Sequence, residues 1–322
     1  MSGGATRRLL ADGRWHFQHG PIDCIVDADG DAGAVARCVE RAWTRFQGVL
    51  DELVAELPLL RADLSGEGAE RVTPSGGIAR RMVAACRPYG EAGAFVTAMA
   101  AVAGSVAEEL TAFFDDAGVA RASVNNGGDI ALHLAPASSY AVGLCSDPSL
   151  AVAGGPLAGR FEVGFASPVR GIATSGWRGR SFSFGIADSV TVLAGTASAA
   201  DAAATMIGNA VDVDAAGIRR RPASELRDDS DLGERLVTVA VPPLRSADVE
   251  RALAAGAAVA EREIAAGRVV AAAISLQGRF RVVDRAPSGR SRTAAWPRDP
   301  SQPRFLRRDS QPTTPSPISI SA

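Results

Sequence analysis

The sequence predicts an α+β fold, and three observations carry that prediction. A long apolar stripe with three- and four-residue spacing runs through the N-terminal part of the chain. A series of short β-branched or alternating segments, separated by Gly, Pro, Ser and Asn, fills the middle. The two kinds of element mix without the strict strand–helix–strand alternation of a doubly wound parallel sheet. The expected architecture is therefore mixed or antiparallel sheets with packed helices, followed by a disordered C-terminal tail.

Arg14 to Gln18 and Ile22 to Asp27 read as two short strands around His19-Gly20-Pro21, a turn signal. From Gly33 to Leu57 the period changes. Val35, Cys38, Val39, Ala42, Phe46, Val49, Leu50, Leu53 and Leu57 form one face of a long helix, which Pro58 is expected to end. Leu64 to Gly77 is polar and Gly-rich, a loop. A second helix is expected over about Ala94 to Phe114. Its stretch Thr97 to Gly104 carries small residues nearly all round, which suits close approach of another helix or of a ligand, with helix packing the preferred reading.

Strands are expected at Val119 to Val124, Ile130 to Leu134, Tyr140 to Leu144, Phe161 to Phe165 and Ser189 to Leu193, then a helix at Ser198 to Ala210. Gly217 to Gly233 is charged and loop-like. A strand (Leu236 to Val241), a helix (Ala247 to Ala266) and two strands (Val269 to Ser275, Phe280 to Val283) follow. From about Ala286 the composition collapses to Pro, Ser, Arg and Thr. The expected organisation is one domain over residues 1–285 and a tail over 286–322.

Composition narrows the function classes. Of 322 residues, 47% are hydrophobic and 22% charged, enough apolar matter to order a large core. A net charge of −2 supplies no global field for nucleic acid or anionic membrane. All 34 basic residues are Arg, which excludes Schiff-base, P-loop-lysine and lysine general-base chemistry. Cys24, Cys38, Cys86 and Cys145 lack CxxC spacing and read as buried small hydrophobes in a reducing compartment. Met1 to Asp12 lacks the apolar core of a secretory signal, and no apolar stretch reaches the length of a membrane span. The expectation is a cytoplasmic protein.

Three local patterns could carry chemistry. Asn125-Asn126-Gly127-Gly128-Asp129 joins two expected strands. Its residue types suit an anion-binding nest with a carboxylate beside it, and equally an Asn-Gly hairpin turn, the reading preferred on local sequence. In Gly171-Ile172-Ala173-Thr174-Ser175-Gly176, two hydroxyls between small residues suit a phosphate or ribose contact. In Ala200-Asp201-Ala202-Ala203-Ala204-Thr205, a helix would set Asp201 and Thr205 one turn apart on one face, a hard oxygen surface of the kind Mg²⁺ accepts, with helix capping or solvation as the structural alternative.

In this order, with Ser189-Val190-Thr191-Val192 between the second and third, these motifs resemble the ApbE-like superfamily, the FAD:protein FMN transferases. Gln18 to Asp23, Glu56 to Arg61, Met99 to Gly104 and Val124 to Ile130 resemble an uncharacterised ApbE-like branch. The resemblance covers roughly residues 10–285. It implies an ApbE-like flavin transferase fold that binds FAD (or FMN) with Mg²⁺ at the pyrophosphate, and FMN transfer to a Thr of an acceptor flavoprotein with release of AMP. It places the metal on Asp201 and Thr205. It places the flavin cleft on Asn126, Gly127, Gly128, Asp129, Thr174, Ser175 and Gly176.

One departure stands out. The transferases carry a His-Ile-x-x-Pro-x-Thr-Gly segment whose His is associated with activating the acceptor hydroxyl. Here Trp177 to Asp188 has neither that His nor Pro-x-Thr-Gly. Asp188 and His19 are the remaining candidates for the base. For both, a structural role is the preferred reading, Asp188 as a strand-entry carboxylate. His16 and His19 point to opposite strand faces, which argues against a two-His metal site, and His133 is expected partly exposed. Arg178 and Arg180, in the replaced segment, have the charge to meet phosphates, although loop arginines are most often solvated. A non-catalytic flavin or nucleotide carrier or sensor of the same fold is the alternative function. The small-residue helices are compatible with a homodimer.

Overall fold

The computed structural model describes residues 4–144, 159–284, 304–305 and 318–319. The chain forms two compact units. The first comprises Met1–Ser139, Gly164–Ile172 and Gly195–Ala202; the second comprises Tyr140–Val163, Ala173–Ala194 and Ala203–Ala322.

The first unit is an antiparallel sheet with helices. Its strands are β1 (Thr6–Leu9), β2 (Trp15–His19), β3 (Ile22–Gly30), β4 (Val119–Asn126) and β5 (Asp129–Leu134), hydrogen-bonded in that order. The start of β8 (Gly171–Ser175) completes it, with Ile130 opposite Ile172. Register decides which side chains share a face. Phe17 stands opposite Cys24, and Cys24 opposite Asn126, so these three point to one side. Phe17 lies against Trp43 and Phe46 at ring-centroid distances of 5.2 and 5.5 Å. Both rings belong to α1 (Ala32–Phe46), which therefore packs on that side of the sheet; Asp31 caps it by accepting from the Ala34 N–H.

The expected long helix from Gly33 to Leu57 is broken. α1 stops at Phe46, Gly48 intervenes, and α2 (Val49–Ala55) restarts with Val49 and Leu53 buried. The apolar stripe survives the break, so periodicity alone did not reveal it. Pro58 does not end the helix but lies in the first turn of a short α3 (Leu57–Leu60), where a missing N–H removes no bond. Within the expected loop Leu64 to Gly77, Ala69–Arg71 forms a 3₁₀ turn. α4 (Gly77–Glu91) has a legible stripe in Ile78, Ala79, Met82, Val83 and Cys86, obscured by the glycines before it and by Pro88 within it. The expected helix over Ala94 to Phe114 is helical only from Ala98, as a 3₁₀ turn (Ala98–Ala101), α5 (Val102–Thr111) and a second 3₁₀ turn (Ala112–Phe114).

The second unit holds most of β6 (Ser139–Leu144) and β7 (Gly159–Gly164), paired as neighbours, and the end of β8. Beyond β8 run β9 (Ser189–Ala194), β12 (Ala271–Leu276) and β13 (Arg279–Asp284), with β9–β12 and β12–β13 antiparallel. Within the expected loop Gly217 to Gly233 lie β10 (Arg219–Pro222) and a one-turn α7 (Ala223–Leu226). β10 pairs with β11 (Leu236–Ala240), so a strand forms in an arginine run with no apolar alternation because a distant partner supplies its hydrogen bonds. α6 (Ala197–Ala210) begins in the first unit and continues into the second, and α8 (Ser246–Ala265) lies wholly in the second. In the expected tail, Arg304–Phe305 pairs with β7 and Ile318–Ser319 with β6; the rest of 286–322 lies outside the described residues. Cys24, Cys38 and Cys86 are free and buried, as expected, and Cys145 lies outside the described residues.

A chain of ion pairs ties the helices of the first unit together. Arg45 reaches Glu52 at 2.6 Å and Glu109 at 2.7 Å, while Arg81 reaches Glu109 at 3.2 Å and Glu108 at 3.1 Å. Burial alone would raise the Glu109 pKa, but hydrogen bonds from Arg45 and Arg81 outweigh it and hold the carboxyl below its ordinary value. A depressed carboxylate stabilises the fold above its unfolded pKa of about 4.3, and that contribution disappears as pH falls through the lower folded value. Glu109→Gln is therefore expected to lower unfolding free energy by about 1.5–3 kcal/mol at neutral pH. In urea titrations at a series of pH values, the gap between variant and parent should close on acidification. A gap independent of pH would contradict this assignment.

Candidate functional site

In the first unit the geometry builds up from glycines. A Cβ on Gly104 would lie 2.3 Å from the carbonyl oxygen of Ala197, and one on Gly171 would lie 2.1 Å from that of Thr196. Backbone therefore touches backbone where β8, α5 and the start of α6 meet. Gly104, at the end of the small-residue stretch, serves this helix contact, in line with the preferred sequence reading.

The helix ends at this contact are capped by carboxylates. The Thr196 hydroxyl accepts from the Ala199 N–H at 3.2 Å, a local N-cap for α6. Glu108 of α5 accepts from the Ser198 N–H at 3.1 Å and its hydroxyl at 2.8 Å. In return, Asp201 of α6 accepts from the Gly104 N–H at 2.8 Å, in the first turn of α5. Asp201 is half-buried. Burial pushes its carboxyl up to about 7, against the lowering effect of the Gly104 and Ala103 N–H groups. No arginine forms an ion pair with Asp201 among the described residues.

The turn from Asn125 to Asp129 is the two-residue hairpin preferred on sequence. Asn126 pairs with Asp129, and Gly127 and Gly128 take φ of 67° and 112°. The Gly128 N–H donates to the Asn125 side chain at 2.8 Å, which removes one donor from the anion-nest alternative. The Asn126 amide is also engaged: its oxygen accepts from the Asp23 N–H at 3.3 Å and its nitrogen donates to the Ala103 carbonyl at 3.2 Å. Asn126 thus ties β3 to the residue just before Gly104. Asp129 is buried on the same side of the sheet.

His19 is 7% exposed, and its Nδ1 is buried without a hydrogen-bond partner. His16 turns to the other face and bonds Asp23 at 2.9 Å, so the two imidazoles are held apart. His133 is half-buried with an unpartnered Nε2. Among the described residues no group of three or more His, Cys, Asp or Glu side chains is placed to hold a metal.

In the second unit, Thr174 and Thr191 share a hydroxyl–hydroxyl bond of 2.9 Å, and Ser175 Oγ would stand 3.8 Å from a Cβ on Gly208 of α6. Gly176 is sterically required, since a Cβ there would meet the Asp188 carbonyl oxygen at 2.3 Å. The Asp188 carboxylate accepts from the Gln277 N–H at 2.5 Å and supports a residue at φ 47° in the β12–β13 turn. Thr205 is half-buried, one turn beyond Asp201 along α6.

Residues 7–282 match the family model described as AbpE bacteria. The chain belongs to this ApbE-like family. The match stops short of residues 286–322. A UPF0280 protein of Archaeoglobus fulgidus is 39% identical over 143 residues, 44% of this chain and 54% of its own length. This chain thus spans about half the length of that relative. UPF0280 proteins of Methanosphaerula palustris (34% over 205 residues, 62% of this chain and 77% of theirs) and Methanosarcina acetivorans (36% over 199 residues, 62% and 72%) are covered more fully. The crystal structure of the ApbE protein of Thermotoga maritima aligns with a TM-score of 0.33 and 14% identity, covering 66% of this chain and 88% of that one. Among the described residues no helix is long and apolar enough to cross a membrane.

Two features of this ApbE-like chain escape motif reading. One is the service of Gly104 and Ala103 as donors to Asp201; only the small-residue stretch hints at it. The other is the pairing of Trp177 with Arg178, described below. The raised Asp201 pKa has a testable consequence. Between about pH 4 and 7 the folded chain holds a proton that the unfolded chain releases, so stability falls as pH rises through that window. Asp201→Asn should flatten this slope in thermal unfolding followed by circular dichroism. Gly104→Ala, forced against Ala197, should lower stability by about 1–3 kcal/mol despite alanine's better helix propensity.

Proposed function

We propose that this ApbE-like protein binds a flavin nucleotide, FAD or FMN, together with Mg²⁺, and cleaves FAD at its pyrophosphate, with FMN passing to a protein Thr or to water. The observation that supports the reading most directly is Asp201: a half-buried carboxylate met by N–H groups and by no ion-pairing arginine. A hard cation beside it relieves the burial that disfavours its charge, so the donor chemistry fits Mg²⁺, with the Thr205 hydroxyl as the second oxygen. When bound, such an ion offsets pyrophosphate charge and polarises phosphorus. Under this reading Asn126, Gly127, Gly128 and Asp129 line the flavin in the first unit, with Asn125 closing their turn. Thr174, Ser175 and Gly176 do so in the second. The setting is cytoplasmic, the acceptor a flavoprotein, the working module residues 1–285, and a homodimer is compatible with it.

A specific observation favours a second reading, a non-catalytic carrier or sensor. Trp177 to Asp188 supplies no His, and the Asp188 carboxylate is already committed to the Gln277 N–H. The catalytic reading then relies for its base on His19, buried with an unpartnered Nδ1.

The test is AMP release from FAD by purified protein, with and without Mg²⁺. Under the catalytic reading AMP appears only with Mg²⁺, and Asp201→Ala lowers the rate by at least about 100-fold. Binding without AMP would favour the carrier. An Asp201→Ala protein with unchanged FAD affinity and unchanged Mg²⁺ response would overturn the metal assignment.

A further inference from the structure

In the segment that opens at Trp177, an arginine is stacked on an aromatic ring. The Arg178 guanidinium lies over the Trp177 ring, 4.9 Å from its centroid. Arg178 is exposed, and among the described residues it meets no carboxylate or carbonyl. Arg180, two residues on, is already engaged.

The turn beneath Arg178 is held at three points. Gly176 packs directly on the Asp188 carbonyl, the Trp177 N–H donates to the Ala187 carbonyl at 3.0 Å, and the Gly179 N–H returns to the Gly176 carbonyl at 3.0 Å. The indole beneath the guanidinium is half-buried, and its residue is held by the Trp177 N–H bond to Ala187, so the platform is anchored; its Nε1 is buried without a partner. Stacking on it restricts the arginine before any ligand arrives and leaves its N–H fork open. A planar fork of this kind matches phosphate oxygens bidentately. The fork begins three residues after Ser175 in the same unit.

We propose that Arg178, seated on Trp177, recognises the phosphate of a bound flavin nucleotide and sets the protein's preference for phosphorylated over unphosphorylated flavin. This rests on the flavin reading above. It assigns Arg178 to binding and leaves open whether turnover follows.

FMN and riboflavin differ by that phosphate, so they are the probes. Each is titrated into the full-length protein by calorimetry, with flavin fluorescence as a second readout, for the parent, Arg178→Ala and Trp177→Leu. The parent should prefer FMN. Arg178→Ala should lose at least about tenfold in FMN affinity, as expected for one charge-assisted contact, with riboflavin affinity unchanged. Retained riboflavin binding also certifies that the variant is folded. Trp177→Leu should give a smaller loss in the same direction.

If the parent binds FMN and Arg178→Ala keeps the full preference, this proposal fails and the flavin reading stands. Equal loss for both ligands would likewise overturn it, because the residue would then not be reading phosphate. If the parent binds neither flavin, the flavin reading falls and takes this proposal with it.

Discussion

The first unit depends on two helices that cap each other. Glu108 of α5 accepts at the start of α6, and Asp201 of α6 accepts at the start of α5. Each carboxylate satisfies donors that have no partner inside their own helix, and each sits where the helix dipole favours negative charge. Contact this close needs backbones without side chains between them, which is why Gly104 faces Ala197 and Gly171 faces Thr196. The ion pairs through Arg81 and Arg45 then extend the Glu108 side of the arrangement to α4, α1 and α2. Asn126 links the Asp201 side to the sheet through the Ala103 carbonyl.

How far the fold was legible follows from what local sequence can encode. β2, β3, β4 and β5 announce themselves by alternation and by turn residues, and the His19-Gly20-Pro21 and Gly127-Gly128 turns fall where expected. Mixed α+β architecture was readable for the same reason. The breaks were not. Gly48 interrupts a helix whose apolar stripe continues from Phe46 to Val49 and Leu53, so periodicity has nothing to report there. β10 is an arginine run whose only reason to be extended is β11, a partner from further along the chain. The helix expected from Ala94 begins late because its first α-helical turn forms where Asp201, distant in sequence, can accept from it.

The candidate site was legible as motif and not as geometry. Asn-Asn-Gly-Gly-Asp reads first as a hairpin and second as an anion nest, and it forms the hairpin, with Asn125 closing the turn and Asn126 joining β3 to the residue before Gly104. Such a turn still presents Asp129 at a defined place, so structural use of the asparagines and a ligand role for what they hold in place are compatible. Asp188 is different. Its carboxylate supports Gln277 in a left-handed conformation that a non-glycine residue rarely adopts, and that demand occupies one of its oxygens. Strand periodicity could place Asp188 at an entry to β9 but could not reveal a partner on another hairpin.

Asp201 shows why structural and chemical roles converge on one group. A carboxylate serving only as a helix cap has no need of burial, and at an exposed cap the N–H groups and the helix dipole favour its charged form. Here the cap is half-buried, flanked along the chain by Ala200 and Ala202, and its pKa rises to about 7 despite two N–H donors. An ionised Asp201 caps α5 more strongly than a neutral one, because a hydrogen bond to a charged acceptor is the stronger. The packing therefore works against the form that caps best. Among the described residues no arginine forms an ion pair with Asp201 to resolve that conflict; Arg45 and Arg81 pair with Glu52, Glu108 and Glu109. A bound cation would resolve it by stabilising the ionised form while leaving the Gly104 bond in place. Under the proposed function the desolvated cap would be the cation's binding surface, with the N-terminus of α5 holding the carboxylate in position.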